Sequence, residues 1–464
     1  MKFFHLADLH LGKSVYEHSL LADQRYILDQ VTVAVRDGSP AAVLIAGDVF
    51  DRAVPPPEAV RLFGDFLAEL KAIDPDLVIA VIPGNHDSAA RLSFASGILG
   101  LSGVHIRADA KDAAIPVTVQ RGGELARLWL LPFLSPGALT PEMLPAASAL
   151  PADLSAAAKP MADQAPALAA DSVGDLFKAA DPALLRSQAD LFAAAVSMIQ
   201  AKILSSPVGP AVSGDRKVLG RKGSMAARVE PTDELDFGQA FGVDASSSPQ
   251  VSDILLCHAF AAGGAAGESE RVFLGSAELV NTALFEAFDY VALGHLHRCQ
   301  SAGAKGMYAG SPIAYAFSEG QIDRGFLVVD VHAGSYTSNF RPLKPLRRMV
   351  RITGSYDQVL QDSRWSSHEA DYIEAVLDDA DAVLNPMGSL RERFPYLLSL
   401  RQAVFESGQT SGQDQQAGLM EDADGSLAED DFIAFHQELR GCPPDGPLMD
   451  LFTALYREAT DEAR

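Results

Sequence analysis

At 464 residues the chain exceeds what one ordinary hydrophobic core holds, so its length points to two or three domains. Its 48% hydrophobic and 21% charged residues are the balance of a soluble globular protein, and a formal net charge of −24 excludes one that coats nucleic acid through bulk positive charge. Three cysteines, Cys257, Cys299 and Cys442, are too few for a disulfide framework and lack zinc-site spacing, which fits a reducing cytoplasm.

In chain order, residues 3–7 read as a strand, and His5, Asp8 and His10 interrupt any secretory apolar region there. Residues 20–36 carry Leu21, Ile27, Leu28, Val31 and Val35 at helical spacing, stopped by Asp37 and Gly38. A strand at 42–46, a helix at 57–73 and strands at 77–82 and 127–134 continue an alternation that predicts an α/β fold. Residues 135–250 break the rhythm with Ala- and Pro-rich sequence, a helix predicted at 182–204 and a Ser/Gly/Pro loop predicted at 205–250. Strands resume at 253–258, 290–293 and 325–331, and 348–352 opens a smaller domain. A polar linker at 406–416 precedes two amphipathic helical stretches, one with Phe432, Phe435 and Leu439, the other with Leu448, Leu451, Phe452 and Leu455. No apolar run is long enough to span a bilayer, so no membrane role is expected.

Five polar clusters each fall just past a predicted strand. They are Asp8-Leu9-His10, Gly47-Asp48, Gly84-Asn85-His86-Asp87, His258, and Gly294-His295-Leu296-His297. Ligands of open α/β sheets gather outside the carboxyl ends of strands, so clusters far apart in sequence can converge there. Alone, Asp8-Leu9-His10 or Gly47-Asp48 reads as a turn and His258 as a core histidine; together they point to a metal site. On an extended segment Asp8 and His10 point the same way while Leu9 points inward, and His295 and His297 do the same around Leu296. Glycines 47, 84 and 294 are expected to allow tight or positive-φ turns. The candidate ligands are Asp8, His10, Asp48, Asn85, His258, His295 and His297. This set of carboxylates, imidazoles and one amide oxygen suits Mn²⁺ or another borderline first-row ion, and one carboxylate can bridge two ions.

The order and spacing of these clusters resemble the calcineurin-like metallophosphoesterase superfamily. Within it, residues 7–13, 48–51, 84–88 with Arg91-Leu92, 292–298 and 308–313 are similar to the SbcD-type components of SbcCD nucleases, and the likeness covers about two-thirds of the chain. The resemblance implies two stacked mixed β-sheets flanked by helices in a nuclease domain at 1–340, with a variable insertion at 135–250. It also implies a small α+β, DNA-contacting cap domain at 341–405 and a linker with partner-binding helices at 406–464. Carried over, Asp8, His10, Asp48 and His297 would bind one ion, and Asp48, Asn85, His258 and His295 the other, with Asp48 bridging. His86 would contact the scissile phosphate and protonate the leaving oxygen.

The implied activity is Mn²⁺-dependent double-strand exonuclease and single-strand or hairpin endonuclease cleavage, in DNA repair, recombination and replication. The implied partners are DNA ends and hairpins and an SMC-like ATPase of the SbcC type, with a homodimer inside a heterotetramer. The local basic run Arg341, Lys344, Arg347, Arg348 and Arg351 is the expected DNA contact. The alternatives are another enzyme of the superfamily, acting as a phosphatase or small phosphodiesterase, and a non-catalytic scaffold for the ATPase.

Overall fold

The computed structural model describes residues 1–135, 137–139, 187–205, 251–262, 279–381, 383–403 and isolated positions between 444 and 453. Most of the 135–250 insertion, the 406–416 linker and most of the C-terminal apolar stripes lie outside the described residues. Of those stripes Leu448 and Phe452 are described, both helical and half-buried.

The first compact unit comprises Met1–Val350 and Ala370–Tyr372. One six-stranded sheet runs in the order Ser335–Pro342, Gly325–His332, Lys2–Leu6, Ala42–Ala46, Val78–Ile82, Val104–Ile106. Its last four strands are mutually parallel and its first two are antiparallel additions. The other sheet runs Gln300–Ala302, Gly306–Tyr308, Tyr290–Gly294, Val251–His258, Glu124–Leu131, Val117–Arg121. It too is parallel at its centre and antiparallel at both edges. Alternating strand residues set which face each side chain takes. Phe3, Leu44, Ala80 and Ile82 of the first sheet thereby share one apolar core with Leu128, Leu130, Ile254 and Leu256 of the second.

Helices cover the remaining faces. Leu21–Gly38 buries Ile27, Leu28, Val31 and Val35, and Pro57–Ile73 buries Leu62, Phe63, Phe66 and Leu70. Gly38 stands so close to the Phe4 ring that an added Cβ would come within 2.7 Å of it. Helix Gln188–Ser205, where a helix at 182–204 is expected, packs Leu191, Phe192, Ala195 and Ile199 with Trp129, Leu131 and Leu255 of the second sheet. The architecture is therefore mixed α/β, with two mixed sheets flanked by helices. Among the described residues no helix is long and apolar enough to cross a membrane.

The second compact unit comprises Arg351–Glu369 and Ile373–Arg464. It holds most of a three-stranded sheet in the order Met349–Gly354, Tyr372–Leu377, Leu397–Gln402. Helix Tyr356–Gln361 starts with a capping box between Ser355 and Gln358, and helix Pro386–Arg393 sends Arg393 to the Val359 carbonyl at 3.1 Å. Arg341, Lys344, Arg347 and Arg348 belong to the first unit and Arg351 to the second.

Candidate metal centre

Five strand ends build one polar edge. Lys2–Leu6, Ala42–Ala46 and Val78–Ile82 end just before Asp8, Asp48 and Asn85; Val251–His258 ends on His258, and Tyr290–Gly294 just before His295. The centre thus draws on both stacked sheets.

The backbone there departs from the extended geometry expected of Asp8-Leu9-His10. The strand stops at Leu6, and Asp8 and His10 take φ of 53° and 40°. Asp48 at 49° and His295 at 109° are also positive. Each such residue costs roughly 1–3 kcal/mol and persists only where its surroundings hold it. Here Asp8 N–H donates to the Gly47 carbonyl at 3.1 Å, and His10 N–H to that of Asp48 at 2.9 Å. Gln24 Nε2 donates to the His10 carbonyl at 2.7 Å, and the Tyr315 hydroxyl donates to that of Leu9. Leu9 is buried, as the alternation implied.

Of the three glycines, only Gly47 takes a positive φ, at 86°. Gly84 and Gly294 serve close approach instead. A Cβ on Gly84 would lie 2.1 Å from Asp48 Oδ1, and one on Gly294 would lie 1.8 Å from the Ala46 carbonyl oxygen. These glycines let the strand ends touch.

The side chains converge. Asp8, His10 and His297 bring ligand atoms within 4.8 Å of one another, and so do Asp8, Asp48 and His258. His10 Nε2 and His297 Nε2 face each other at 3.1 Å. Asn85 Oδ1 lies 3.0 Å from His258 Nε2 and 3.1 Å from His295 Nδ1. Asp48 Oδ2 stands 3.6 Å from both His10 Nε2 and His258 Nε2. Asp8, His10, Asp48, His258 and His297 are buried, while Asn85 is exposed and His86 and His295 are half-buried on the open side.

The donor set fits divalent cations. Burial is the largest influence lowering the His10 and His258 imidazoles from their ordinary range, and it takes His295 down to about 3. Neutral rings offer lone pairs. His258 Nδ1–H donates to the Ala46 carbonyl at 2.8 Å, so its lone pair is on Nε2, toward Asp48 and Asn85. His297 Nδ1 faces Glu319 at 3.4 Å, which leaves Nε2 for the centre. Cys257 adds no thiolate, because burial pushes its thiol up.

His86 sits beside these groups. Its Nδ1–H donates to the Asp51 carbonyl at 2.8 Å, which sets its tautomer, and its ring lies edge-on to His10 with centroids 4.8 Å apart. Its N–H donates to Asp48 Oδ1 at 2.9 Å.

Several supporting residues escape a reading of the sequence. Asp87 accepts from the N–H groups of Val49, Phe50 and Gly84 at 3.0, 2.9 and 2.9 Å, tying two ligand loops together. Burial and the neighbouring Asp48 push its carboxyl up to about 7. Arg324 reaches Glu319 at 3.1 Å, Ser311 Oγ at 3.0 Å and the His297 carbonyl. Lys13 pairs with Asp51 at 2.7 Å. Asp87 and Lys13 lie inside motifs visible in the sequence but carry no role there, whereas Glu319 and Arg324 have no local signal.

The expected DNA-contacting residues divide. Arg341, Lys344 and Arg348 are exposed. Arg347 is folded onto buried Asp23 at 3.3 Å and over the Tyr372 ring at 5.7 Å, and Arg351 is paired with Glu374.

With this geometry in view, a family model described as calcineurin-like phosphoesterase matches residues 1–133. The chain carries a calcineurin-like phosphoesterase domain. The phosphoesterase match takes in Asp8, His10, Asp48, Asn85 and His86, while His258, His295 and His297 lie beyond it and reach the same centre through the second sheet. A second model, described as the type 5 capsule protein repressor C-terminal domain, matches residues 345–438. The chain is 27% identical over 408 residues to the SbcD component of the SbcCD nuclease of Staphylococcus saprophyticus subsp. saprophyticus, spanning 88% of this chain and 86% of that protein. The same-named protein of Staphylococcus epidermidis is 26% identical over 409 residues, with the same shares.

Proposed function

We propose that this chain is the catalytic component of a metal-dependent DNA nuclease. The observation that carries the reading is Asp48 Oδ2, 3.6 Å from both His10 Nε2 and His258 Nε2. It sets one carboxylate between two ligand groups: Asp8, His10 and His297 on one side, Asn85, His258 and His295 on the other. Two Mn²⁺ ions held there would supply Lewis acidity and neutralise charge on a phosphodiester. His86, with its Nδ1 proton held by Asp51, presents Nε2 to the leaving oxygen as proton donor. Arg341, Lys344 and Arg348 offer exposed cations for backbone phosphates; Arg347 and Arg351 contribute beside their carboxylate partners. The choice of DNA rests on the nuclease relatives. The test is metal-free protein with end-labelled double-stranded and hairpin DNA. Mn²⁺ should give exonuclease and endonuclease products, and EDTA none. Hydrolysis of bis(p-nitrophenyl) phosphate with intact DNA would assign a small phosphodiesterase instead. No hydrolysis of either with ions bound would assign a scaffold.

We further propose that the nuclease works in the cytoplasm, in DNA repair, recombination and replication, with an SMC-like ATPase as its partner. Two nuclease chains would meet through the exposed Phe94, Ile98 and Leu101, which are 82%, 71% and 89% exposed. Co-expression with the ATPase should yield a complex whose mass corresponds to two copies of each chain, and Leu101→Glu should halve it. A one-to-one complex from the unaltered protein would contradict the heterotetramer.

A further inference from the structure

The first compact unit contains a cavity of about 530 Å³, lined in part by residues 312–314, 320–324 and 342–349. Its charge runs against the rest of the chain. Arg324, Lys344, Arg347 and Arg348 line it, opposed on the lining by Asp323 alone, in a protein of net charge −24. Buried Glu319 and Asp23 hold Arg324 and Arg347 from behind. Lys344 and Arg348 are exposed, and among the described residues neither side chain is in an ion pair; the one carboxylate at Arg348, Asp371, accepts from its backbone N–H at 2.9 Å. Four cations against one lining carboxylate, two of them outside any ion pair, concentrate anions in a concave wall. Ile322, 37% exposed, and the exposed Pro342 and Pro345 supply an apolar side, backed by buried Ile313, Leu343 and Met349.

Cations on one side and apolar wall on the other suit a nucleotide, whose phosphate is charged and whose sugar and base present apolar surface. The volume lies within the usual range for a site of that size, about 300–1,000 Å³. The cavity also borders the metal centre. Arg324, on its wall, hydrogen-bonds the His297 carbonyl and Ser311, so one side chain connects the cavity to a candidate ligand.

We propose that this cavity is a nucleotide subsite, with phosphate on Lys344 and Arg348 and the sugar and base against Ile322 and Pro345. Resting on the nuclease reading, we assign its occupant to a nucleotide of the bound strand rather than a free mononucleotide. Arg324 and Arg347 complete the wall but hold buried carboxylates, so replacing them would unbalance the fold. Lys344 and Arg348 can be reversed without that cost.

The test compares Lys344→Glu/Arg348→Glu with a control reversal of two exposed arginines outside the cavity lining, Arg36→Glu/Arg61→Glu, which changes net charge equally. Binding of a fluorescein-labelled oligothymidylate and of dTMP is measured in EDTA, so that cleavage plays no part. The cavity pair should weaken oligonucleotide binding roughly tenfold beyond the control. It should also flatten the dependence of log K on log salt by about 1.4, two single-strand phosphate contacts at about 0.7 each. Loss of dTMP binding with oligonucleotide binding unchanged would keep the nucleotide site but assign it to a free nucleotide. Equal effects from the cavity and control pairs on both probes would overturn the subsite. Cavity-dependent binding by a protein that cuts no DNA would sink the nuclease reading alone.

Discussion

Asp48→Ala is expected to leave the protein unable to hold either ion and to abolish metal-dependent hydrolysis. Asp48 Oδ2 is equally near His10 Nε2 and His258 Nε2, so its loss strips one donor from both ligand groups at once. Its Oδ1 also accepts from His86 N–H at 2.9 Å, which orders the loop carrying Asn85. We expect a fall in turnover on the order of a thousandfold or more, about 4 kcal/mol of transition-state stabilisation. His297→Ala removes a donor from one group only and should retain the other ion. Asp48→Asn, which keeps the side-chain shape, guards against reading a folding defect as a metal defect. Metal analysis after gel filtration decides the matter: two ions retained by folded Asp48→Ala would refute the shared carboxylate.

His86→Ala should do the opposite, keeping the ions and losing the chemistry. His86 approaches Asp48 through its backbone N–H, and its ring is held by the Asp51 carbonyl. A positioned proton donor contributes about 10²–10⁴-fold, so DNA cleavage should fall by that factor. The deficit should shrink on bis(p-nitrophenyl) phosphate, whose leaving group departs without a proton, whereas a DNA alkoxide does not. If metal content fell in step with activity, or if both substrates lost equally, the proton-donor role would be wrong.

How much of this could be read in the sequence depended on where each constraint lies. Strand Ala42–Ala46 and helix Pro57–Ile73 match their expected bounds to the residue, because one is an uninterrupted apolar run and the other opens on proline with apolar residues at helical spacing. Strand Ser335–Pro342 escaped because it is an edge strand whose residues are exposed or half-buried, leaving no apolar run to read. Strands Gln300–Ala302 and Gly306–Tyr308 are too short for periodicity to register. The candidate ligands were visible because glycine, aspartate and histidine crowd the ends of readable strands.

Their means of support were less visible. The positive φ at Asp8, His10 and His295 is imposed by bonds from distant loops and by the close contact of Gly84 and Gly294 with neighbouring chain. Glu319 and Arg324 act on His297 through contacts that are not local in sequence, Arg324 from 27 residues away. Arg347 and Arg351 looked like free cations because Asp23 and Glu374, their partners, are 324 and 23 residues away in the chain.

The most direct test is anomalous scattering from crystals of the protein loaded with Mn²⁺. The account predicts two peaks with Asp48 coordinating both, one completed by Asp8, His10 and His297, the other by Asn85, His258 and His295. A single peak, or two peaks that do not share Asp48, would contradict it.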